Sequence, residues 1–151
     1  DWQRPGYMLY GNSPFAESQA NADQLRPVMS FESAVISVRE IAAGESVGYG
    51  ATWTAEQQSR IATVAVGYGD GYPRHAPNGT PVLINGVKCP LVGRVSMDMI
   101  TVDITAIETK IGDRVILWGP ALPVNEVATA CNTIGYELLT RMPDRVPRVY
   151  I

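Results

Sequence analysis

The sequence has few of the residues that build metal centres and disulfide frameworks, with one histidine and two cysteines among 151 residues. Cys89 and Cys131 do not form a C-x-x-C pair, and His75 is the only imidazole, so neither a zinc site nor a disulfide framework is indicated. No apolar run approaches the roughly 18 residues that cross a bilayer. The opening stretch DWQRPGYMLY has no basic start followed by an apolar region, as a signal peptide would have. These absences favour a cytoplasmic protein that does not act at a membrane.

The sequence also lacks an excess of positive charge. Its formal net charge is -3, which gives no general attraction for phosphate backbones and makes nucleic acid a poor candidate partner. The 46% hydrophobic and 18% charged residues are ordinary for a globular protein, and the length suits one domain with one core. Tyr7–Tyr10 has the pattern of a strand already under way, so we expect this chain to belong to a longer polypeptide.

Short β-branched stretches separated by glycine and proline turns dominate the chain. This pattern predicts a mainly β fold, a small antiparallel β-barrel-like domain with one or two short helices near the C-terminus, and a sandwich is the alternative. Asn85-Gly86 lies between two apolar runs and predicts a two-residue hairpin. The apolar face changes at Val35/Ile36 and at Met99/Ile100, as it does where a strand bulges or turns a barrel corner. The predicted strands are 28–41, 61–68, 80–84, 87–93, 95–104, 115–118 and 145–151, and the predicted helices are 123–130 and 136–140.

Two clusters of glycine and tyrosine, at 48–50 and 67–72, stand out from this background. Neither is followed by a helical pattern, so a dinucleotide loop is disfavoured, and barrel corners with tyrosines at the rim are the plainer interpretation. Arg94 and Asp98 are four residues apart, which on a strand puts them on one face, where they pair with each other or point at a ligand. No nucleophile lies next to a base. Composition and pattern alone therefore predict a small β domain and no chemistry.

Five segments taken in order resemble the carboxyl-terminal half of a bacterial alanine racemase, an enzyme that joins a TIM barrel to a β-rich domain. The resemblance covers the whole chain, and the order of the segments makes it specific. Each segment alone would be a weak signal. The matching segments are RPGYMLYG at 4–11, VGYGATW at 47–53, VGYGDGYPR at 66–74, VGRVSMD at 92–98, and GYEL at 135–138 with RVPR at 145–148.

The resemblance implies a role for each matching residue. Arg4 matches the arginine that donates to the pyridine nitrogen of pyridoxal phosphate, and Gly6 and Tyr7 match the positions whose backbone amides hold the cofactor phosphate. Tyr49 matches a catalytic base, which faces the cofactor lysine of the partner subunit across the substrate α-carbon. Met97 matches the residue whose backbone amide meets the substrate carboxylate. The residues that match the entrance channel are Tyr68, Arg74, Arg94 and Asp98.

The resemblance also implies what lies outside this chain. Lys88 and Lys110 are its two lysines, and neither has the context of the lysine that binds pyridoxal phosphate covalently, so we expect that lysine in a preceding TIM barrel. Residues 1–27 would then be the end of that barrel and a connector, and residues 28–151 the C-terminal β domain. The function implied is interconversion of L- and D-alanine for peptidoglycan precursors by a homodimer, with this chain inactive by itself.

Two other functions stay open from the sequence. One is a broad-specificity amino-acid racemase of the same fold, and the other is a β-barrel module that mediates only assembly or binding. One position departs from the family pattern: directly before RVPR, some members carry a tyrosine that touches the phosphate, whereas this chain has Asp144. A carboxylate there would repel a phosphate, so we expect Asp144 to turn away or the local backbone to differ.

Overall fold

We describe a computed structural model of the chain that covers residues 1–15 and 17–151. Strands account for 27% of the chain and helices for 17%, which confirms the predicted mainly β class. Short 3-10 helices occupy Tyr7–Tyr10, Ala22–Gln24, Tyr49–Ala51 and Tyr68–Asp70. The strands and α-helices of the described residues are β1 Phe31–Ile41, β2 Ser46–Val47, β3 Trp53–Thr54, β4 Ser59–Val64, β5 Pro81–Ile84, β6 Val87–Pro90, β7 Ile100–Asp103, β8 Arg114–Trp118, α1 Val124–Ala130 and α2 Gly135–Thr140.

Six strands form one antiparallel sheet in the order β6-β5-β8-β1-β4-β7, and β2 and β3 form a separate small hairpin. The two edges of the large sheet approach each other just after β6. Leu91 forms an isolated bridge with Val102 of β7, and the Val92 amide donates to the Thr101 carbonyl at 2.9 Å. The sheet is therefore a nearly closed barrel, as the sequence predicts.

Strand β1 is the element that joins the two halves of this sheet. Its first residues, Phe31 to Ala34, pair with β8, and the stretch from Val35 to Ile41 pairs with β4. The register with β4 shifts between Val35 and Ser37, which confirms the irregularity predicted from the change of apolar face. One strand can thus pair with both halves of the sheet, because the bulge changes the direction of its side chains at the point where the strand changes partner.

The core fills the barrel and extends beneath α1. Trp118 is almost fully buried and packs with the rings of Phe31 and Tyr72, at centroid distances of 4.7 and 6.3 Å. Helix α1 follows Pro123, whose fixed φ suits a helix start, and its buried positions recur at helical spacing. These buried positions are Val124, Val127, Ala128 and Cys131.

The Asn85-Gly86 hairpin forms as predicted between β5 and β6. Asn85 has φ of 51° and Gly86 has φ of 81°, the two positive values that a type I′ turn requires. The Asn85 side chain adds a hydrogen bond, in which Nδ2 donates to Asp113 Oδ2 at 2.7 Å. The turn is therefore fixed both by its backbone and by a contact to the β7–β8 connection.

Two predicted strands at the ends of the chain are wrong. Tyr7–Tyr10 is a 3-10 helix that ends at Gly11, whose φ is 75°, and it has no strand to pair with. Residues 145–151 are not in a strand either. Pro147 cannot donate to a ladder there, and residues 148–151 are exposed. Both stretches have the composition of a strand but no neighbouring edge to complete it.

Other predicted strands are shorter than expected: the one predicted over 28–41 begins at Phe31, the one predicted over 87–93 ends at Pro90, and two more also differ in their bounds. The predicted strand 95–104 is a strand only over Ile100–Asp103. Before it, the amide and the hydroxyl of Ser96 both donate to the Met99 carbonyl, which makes 96–99 a tight turn. The predicted strand 61–68 begins at Ser59 and ends at Val64, because the chain turns into the 3-10 helix at Tyr68. In each case the remainder becomes a loop on the barrel surface.

No helix among residues 1–15 and 17–151 is long and apolar enough to cross a membrane.

We predict that Asn85→Pro destabilises the domain by more than about 1 kcal/mol, since proline fixes φ near -65° where the turn needs a positive value. Asn85→Gly is the matched control, because glycine adopts positive φ and loses only the side-chain hydrogen bonds. Urea unfolding followed by tryptophan fluorescence measures both. A proline variant as stable as the parent would contradict the turn geometry.

A second prediction concerns acid stability. The Arg114 guanidinium donates to Glu32 across β1 and β8 with an Nε to Oε2 distance of 2.6 Å, and this hydrogen bond lowers the pKa of Glu32 below its ordinary value of 4.5. A lowered folded-state pKa stabilises the fold above that ordinary value, and the contribution is lost as pH falls through the lowered pKa. Glu32→Gln should therefore be less stable than the parent at pH 7. The difference should shrink steadily below pH 4.5, and unfolding curves across pH that run parallel would contradict this assignment.

Candidate functional site

Tyr49 lies at the tip of the small hairpin formed by β2 and β3. Gly48 has φ of 78°, and a Cβ there would lie 2.9 Å from the Arg94 amide nitrogen, so the hairpin backbone packs directly against the loop that carries Arg94. This contact fixes the base of the hairpin. Tyr49 stays 72% exposed, and no side chain or backbone group among the described residues hydrogen-bonds to its hydroxyl.

Tyr68 and Met97 lie on two loops that contact each other through their backbones. The Tyr68 amide donates to the Ser96 carbonyl at 3.0 Å, and the Gly69 amide donates to the Met97 carbonyl at 2.8 Å. A Cβ at Gly67 would lie 2.3 Å from the carbonyl oxygens of Ser96 and Met97, so no other residue fits between the loops. The sequence treats these loops as separate motifs, and the fold makes them one unit.

A shallow cavity of about 380 Å³ lies between the hairpin and the loop that carries Ser96 and Met99, and it is open to solvent. Exposed apolar side chains surround it, since Met97 and Met99 are 51% and 44% exposed. We give the name site face to the surface formed by the hairpin and by the loops that adjoin it, and we define it by Tyr49, Tyr68, Arg74, Arg94 and Met97. The residues that line the cavity include Gly48, Tyr49, Thr63, Arg94, Ser96 and Met99.

The predicted entrance-channel residues belong to this face. The Arg74 guanidinium carbon lies 5.9 Å from the centre of the Tyr68 ring, within cation–π range. The Arg94 guanidinium lies alongside the hairpin, where a Cβ on Gly50 would be 3.8 Å from it. One cation and one phenol, Arg94 and Tyr49, therefore line the cavity, and a second such pair, Arg74 and Tyr68, lies on the adjoining loop; cations of this kind suit a small anionic ligand.

Asp98 does not pair with Arg94. Because 96–99 is a turn, the two residues do not share the face of a strand, and the Asp98 carboxylate instead accepts from Arg145 Nη2 at 2.5 Å. Arg145 also donates from Nε to Asp70 Oδ1 at 2.8 Å, and these two hydrogen bonds raise its pKa. Sequence reasoning assigned no role to Arg145, whose partners lie 47 and 75 positions away along the chain.

Arg4, Gly6 and Tyr7 lie in a separate segment, and the contacts of Tyr7 are with helices α1 and α2. Its ring stacks on Tyr136 with a centroid distance of 4.2 Å, and its hydroxyl donates to the side-chain oxygen Oδ1 of Asn125. Burial and the neighbouring Tyr136 raise the pKa of Tyr7 to about 12, so this phenol stays protonated. The side chain of Tyr7 is therefore an anchor, which leaves only its backbone for a ligand.

The backbone of this segment offers donors. Among the described residues, no acceptor meets the amides of Gly6 and Tyr7, which stand at the start of the 3-10 helix. A Cβ on Gly6 would have nothing within 4 Å, so the approach to these amides is open. Two adjacent free amides suit a phosphate group. The predicted cofactor-binding residues thus fit the phosphate of pyridoxal phosphate, the cofactor that the resemblance implies.

Asp144 turns away from the protein. Its side chain is fully exposed, and its nearest cation is Arg148, with a closest approach of 4.0 Å between Nη2 and Oδ1. The backbone beside it is held in place by Arg145.

Comparison with known proteins identifies relatives along the whole chain. Residues 28–150 match the family described as alanine racemase, C-terminal domain. The alanine racemase of Stutzerimonas stutzeri is 58% identical over 151 residues, which is 99% of this chain and 42% of that protein. The chain therefore spans less than half the length of the curated relatives that it matches.

Solved structures agree with this relationship. The crystal structure of biosynthetic alanine racemase from Pseudomonas aeruginosa superposes with a TM-score of 0.96 at 57% identity, covering 100% of this chain and 42% of that one. Alanine racemase from Bartonella henselae with covalently bound pyridoxal phosphate superposes with a TM-score of 0.89 at 41% identity, covering 98% of this chain and 41% of that one.

We predict that Gly135→Ala destabilises the anchor of the amino-terminal segment. A Cβ there would lie 1.8 Å from the Tyr7 hydroxyl oxygen, and overpacking of this kind costs about 1–3 kcal/mol. In a helix where the added methyl group met no other atom, a glycine-to-alanine change would stabilise the protein by up to about 1 kcal/mol. The sign of the change in stability therefore shows whether the clash with Tyr7 occurs.

Unfolding curves measure the stability, and hydrogen exchange at residues 7–13 measures the local loosening. Ile134→Ala, at the exposed neighbouring position, is the control and should leave exchange at 7–13 unchanged. A Tyr7→Ala/Gly135→Ala double variant should lose less than the sum of the single changes, because the clash is gone. Additive losses would show that the Tyr7 ring and Gly135 do not interact.

Proposed function

Since the chain belongs to the alanine racemase C-terminal domain family, we propose that it is the C-terminal β domain of a racemase that interconverts L- and D-alanine with pyridoxal phosphate. The observation that carries this proposal is the exposed Tyr49 hydroxyl, presented beside Arg94 on the rim of the site-face cavity. An assembly module is not favoured, because the relatives along the whole chain are named as racemases.

We assign residues 1–27 to the end of a preceding TIM barrel and its connector, and residues 28–151 to the β domain. The family match over 28–150 supports this boundary, and the 42% coverage of relatives leaves room for a barrel. We do not assign the cofactor-binding role to Lys88 or Lys110. Lys88 pairs with Glu126 at 2.7 Å, and Lys110 lies in the β7–β8 connection, so we assign the lysine that binds the cofactor to the barrel.

Pyridoxal phosphate supplies, when bound, an electron sink that stabilises negative charge at the substrate α-carbon. The free amides of Gly6 and Tyr7 would hold its phosphate. The Arg4 guanidinium would donate to its pyridine nitrogen, and since guanidinium does not give up its proton in proteins, that nitrogen would stay unprotonated. The cofactor-bound relative from Bartonella henselae supports this part of the proposal.

Tyr49 would move the proton at one face of the substrate. A racemase needs a base on each face of the α-carbon, and we assign the other to the barrel lysine of the partner subunit in a homodimer. Phenols in water ionise near pH 10, so a tyrosine base at neutral pH needs cationic groups around its oxygen. Arg94 is the cation that lines the same cavity in this chain.

Met97 would position the substrate. Among the described residues no acceptor meets its amide, while the carbonyl of the same peptide group, that of Ser96, accepts the Tyr68 amide at 3.0 Å. A free amide on a fixed peptide suits the carboxylate of alanine. Tyr68, Arg74, Arg94 and Asp98 would line the approach, where the two arginines favour small anions. We also propose a cytoplasmic location and a role in supplying D-alanine for peptidoglycan.

The test is Tyr49→Phe in the full-length holoenzyme, with deuterium uptake from solvent followed separately for each enantiomer. Loss of a general base should slow α-proton exchange from L-alanine by about 10²–10⁴-fold, while exchange from D-alanine survives better. Tyr150→Phe is the matched control, an exposed tyrosine with no assigned role. Near-wild-type exchange from both enantiomers would remove Tyr49 from catalysis.

The 151-residue chain alone provides a second control. Without a cofactor lysine it should form no D-alanine from L-alanine when pyridoxal phosphate is added. Racemisation by this chain at the rate of the full-length enzyme would overturn the assignment of that lysine to the barrel.

A further inference from the structure

The guanidinium of Arg145 lies between two carboxylates that come from different loops of the site face. Nη2 lies 2.7 Å from Asp70 Oδ1 and 2.5 Å from Asp98 Oδ1, and Nε adds a second contact to Asp70 at 2.8 Å. Asp70 is on the Tyr68 loop, and Asp98 directly follows Met97. Arg145 itself belongs to the C-terminal segment beyond α2, so three separate parts of the chain meet at one side chain.

Each carboxylate belongs to a residue that lies in a tight turn of its loop. The second oxygen of Asp70 accepts the Gly67 amide at 2.9 Å, which closes the 3-10 turn that begins the Tyr68 loop. Asp98 stands inside the tight turn in which the Ser96 amide donates to the Met99 carbonyl at 3.0 Å. A guanidinium that binds both carboxylates therefore fixes the two turns relative to each other. The hydrogen bonds that the Tyr68 and Gly69 amides donate join the same two loops directly.

We propose that Arg145 is a positioning residue, which clamps the Met97 loop to the Tyr68 loop so that the Met97 amide stays aimed at the substrate carboxylate. The inference rests on the proposed function for the identity of that carboxylate. Exposed ion pairs add little to global stability, and Arg145 is 43% exposed. Its effect is local because two fixed hydrogen-bond directions set the orientation of the loops.

Lysine does not replace arginine at such a position. An ammonium group is a point charge on a flexible stem, whereas the planar guanidinium engages both carboxylates with separate N–H donors. The clamp therefore depends on geometry more than on charge. Arg148 provides the contrast, since it lies three residues further along the same segment, donates only to the Met142 carbonyl at 3.4 Å, and approaches the exposed Asp144 at 4.0 Å.

The experiment compares Arg145→Gln, Arg145→Lys and the control Arg148→Gln in the full-length holoenzyme. The first readout is steady-state racemisation of L- and D-alanine. Loss of a positioned hydrogen bond to the substrate carboxylate should raise KM about tenfold for both enantiomers in Arg145→Gln, with kcat within about threefold of wild type. Arg145→Lys should recover little of the loss, and Arg148→Gln should match wild type.

The second readout is hydrogen exchange at the Tyr68 and Gly69 amides in the same proteins, which does not depend on any activity. Exchange there should be faster in both Arg145 variants and unchanged in Arg148→Gln. An unchanged KM, or unchanged exchange at these amides, would overturn the positioning role. An Arg145 variant that merely lost folded protein would show reduced kcat at unchanged KM, and this too would overturn it.

The two proposals fail in different ways. If the wild-type holoenzyme does not racemise alanine, the proposed function is wrong, and the exchange measurement alone then decides whether Arg145 joins the loops. If wild type racemises alanine and the Arg145 variants keep its KM, the function stands and the clamp is refuted.

Discussion

The site face is held together by direct backbone contact between the Tyr68 loop and the Met97 loop. The contact needs a residue without a side chain at Gly67, because a Cβ there would fall 2.3 Å from two carbonyl oxygens. With the backbones this close, the amides of Tyr68 and Gly69 pair with the carbonyls of Ser96 and Met97. The Ser96–Met97 peptide group then has its carbonyl fixed by the Tyr68 amide, and its N–H, the Met97 amide, has no acceptor among the described residues. Everything proposed for substrate recognition starts from that one oriented peptide.

The barrel brings these loops together by its sheet order. Strand β4 leads into the Tyr68 loop, and β7 follows the Met97 loop, and the two strands are hydrogen-bonded neighbours. Loops at adjoining ends of paired strands are necessarily close, so their contact is a product of the register. The hairpin that bears Tyr49 is attached separately, through the close approach of Gly48 to Arg94. A rigid sheet therefore supports a face made almost entirely of loops.

The parts that sequence predicts well are local. Asn85-Gly86 specifies its own turn, and the apolar spacing of α1 is visible within a single heptad, so both are correct. The predicted strand 95–104 fails over residues 95–99, and the predicted strand 145–151 fails throughout, because strand formation depends on a partner edge, which composition does not reveal. The Arg145 pairs join residues 47 and 75 positions apart, and no spacing rule connects them. The motif resemblance locates Tyr49 and Met97 in the sequence, while only the fold brings Arg145 into the same site.

The strand order of the large sheet determines when each strand can find its partner during synthesis of the chain. Strand β1 precedes its partner β8 by about eighty residues, as the Glu32–Arg114 pair with its separation of 82 illustrates. The edge of β1 that faces β8 therefore stays unpaired while these residues are synthesised, and contacts of such long range also slow folding in solution. Exposed strand edges invite pairing with other chains. The domain thus depends on its last third to protect its first strand from aggregation.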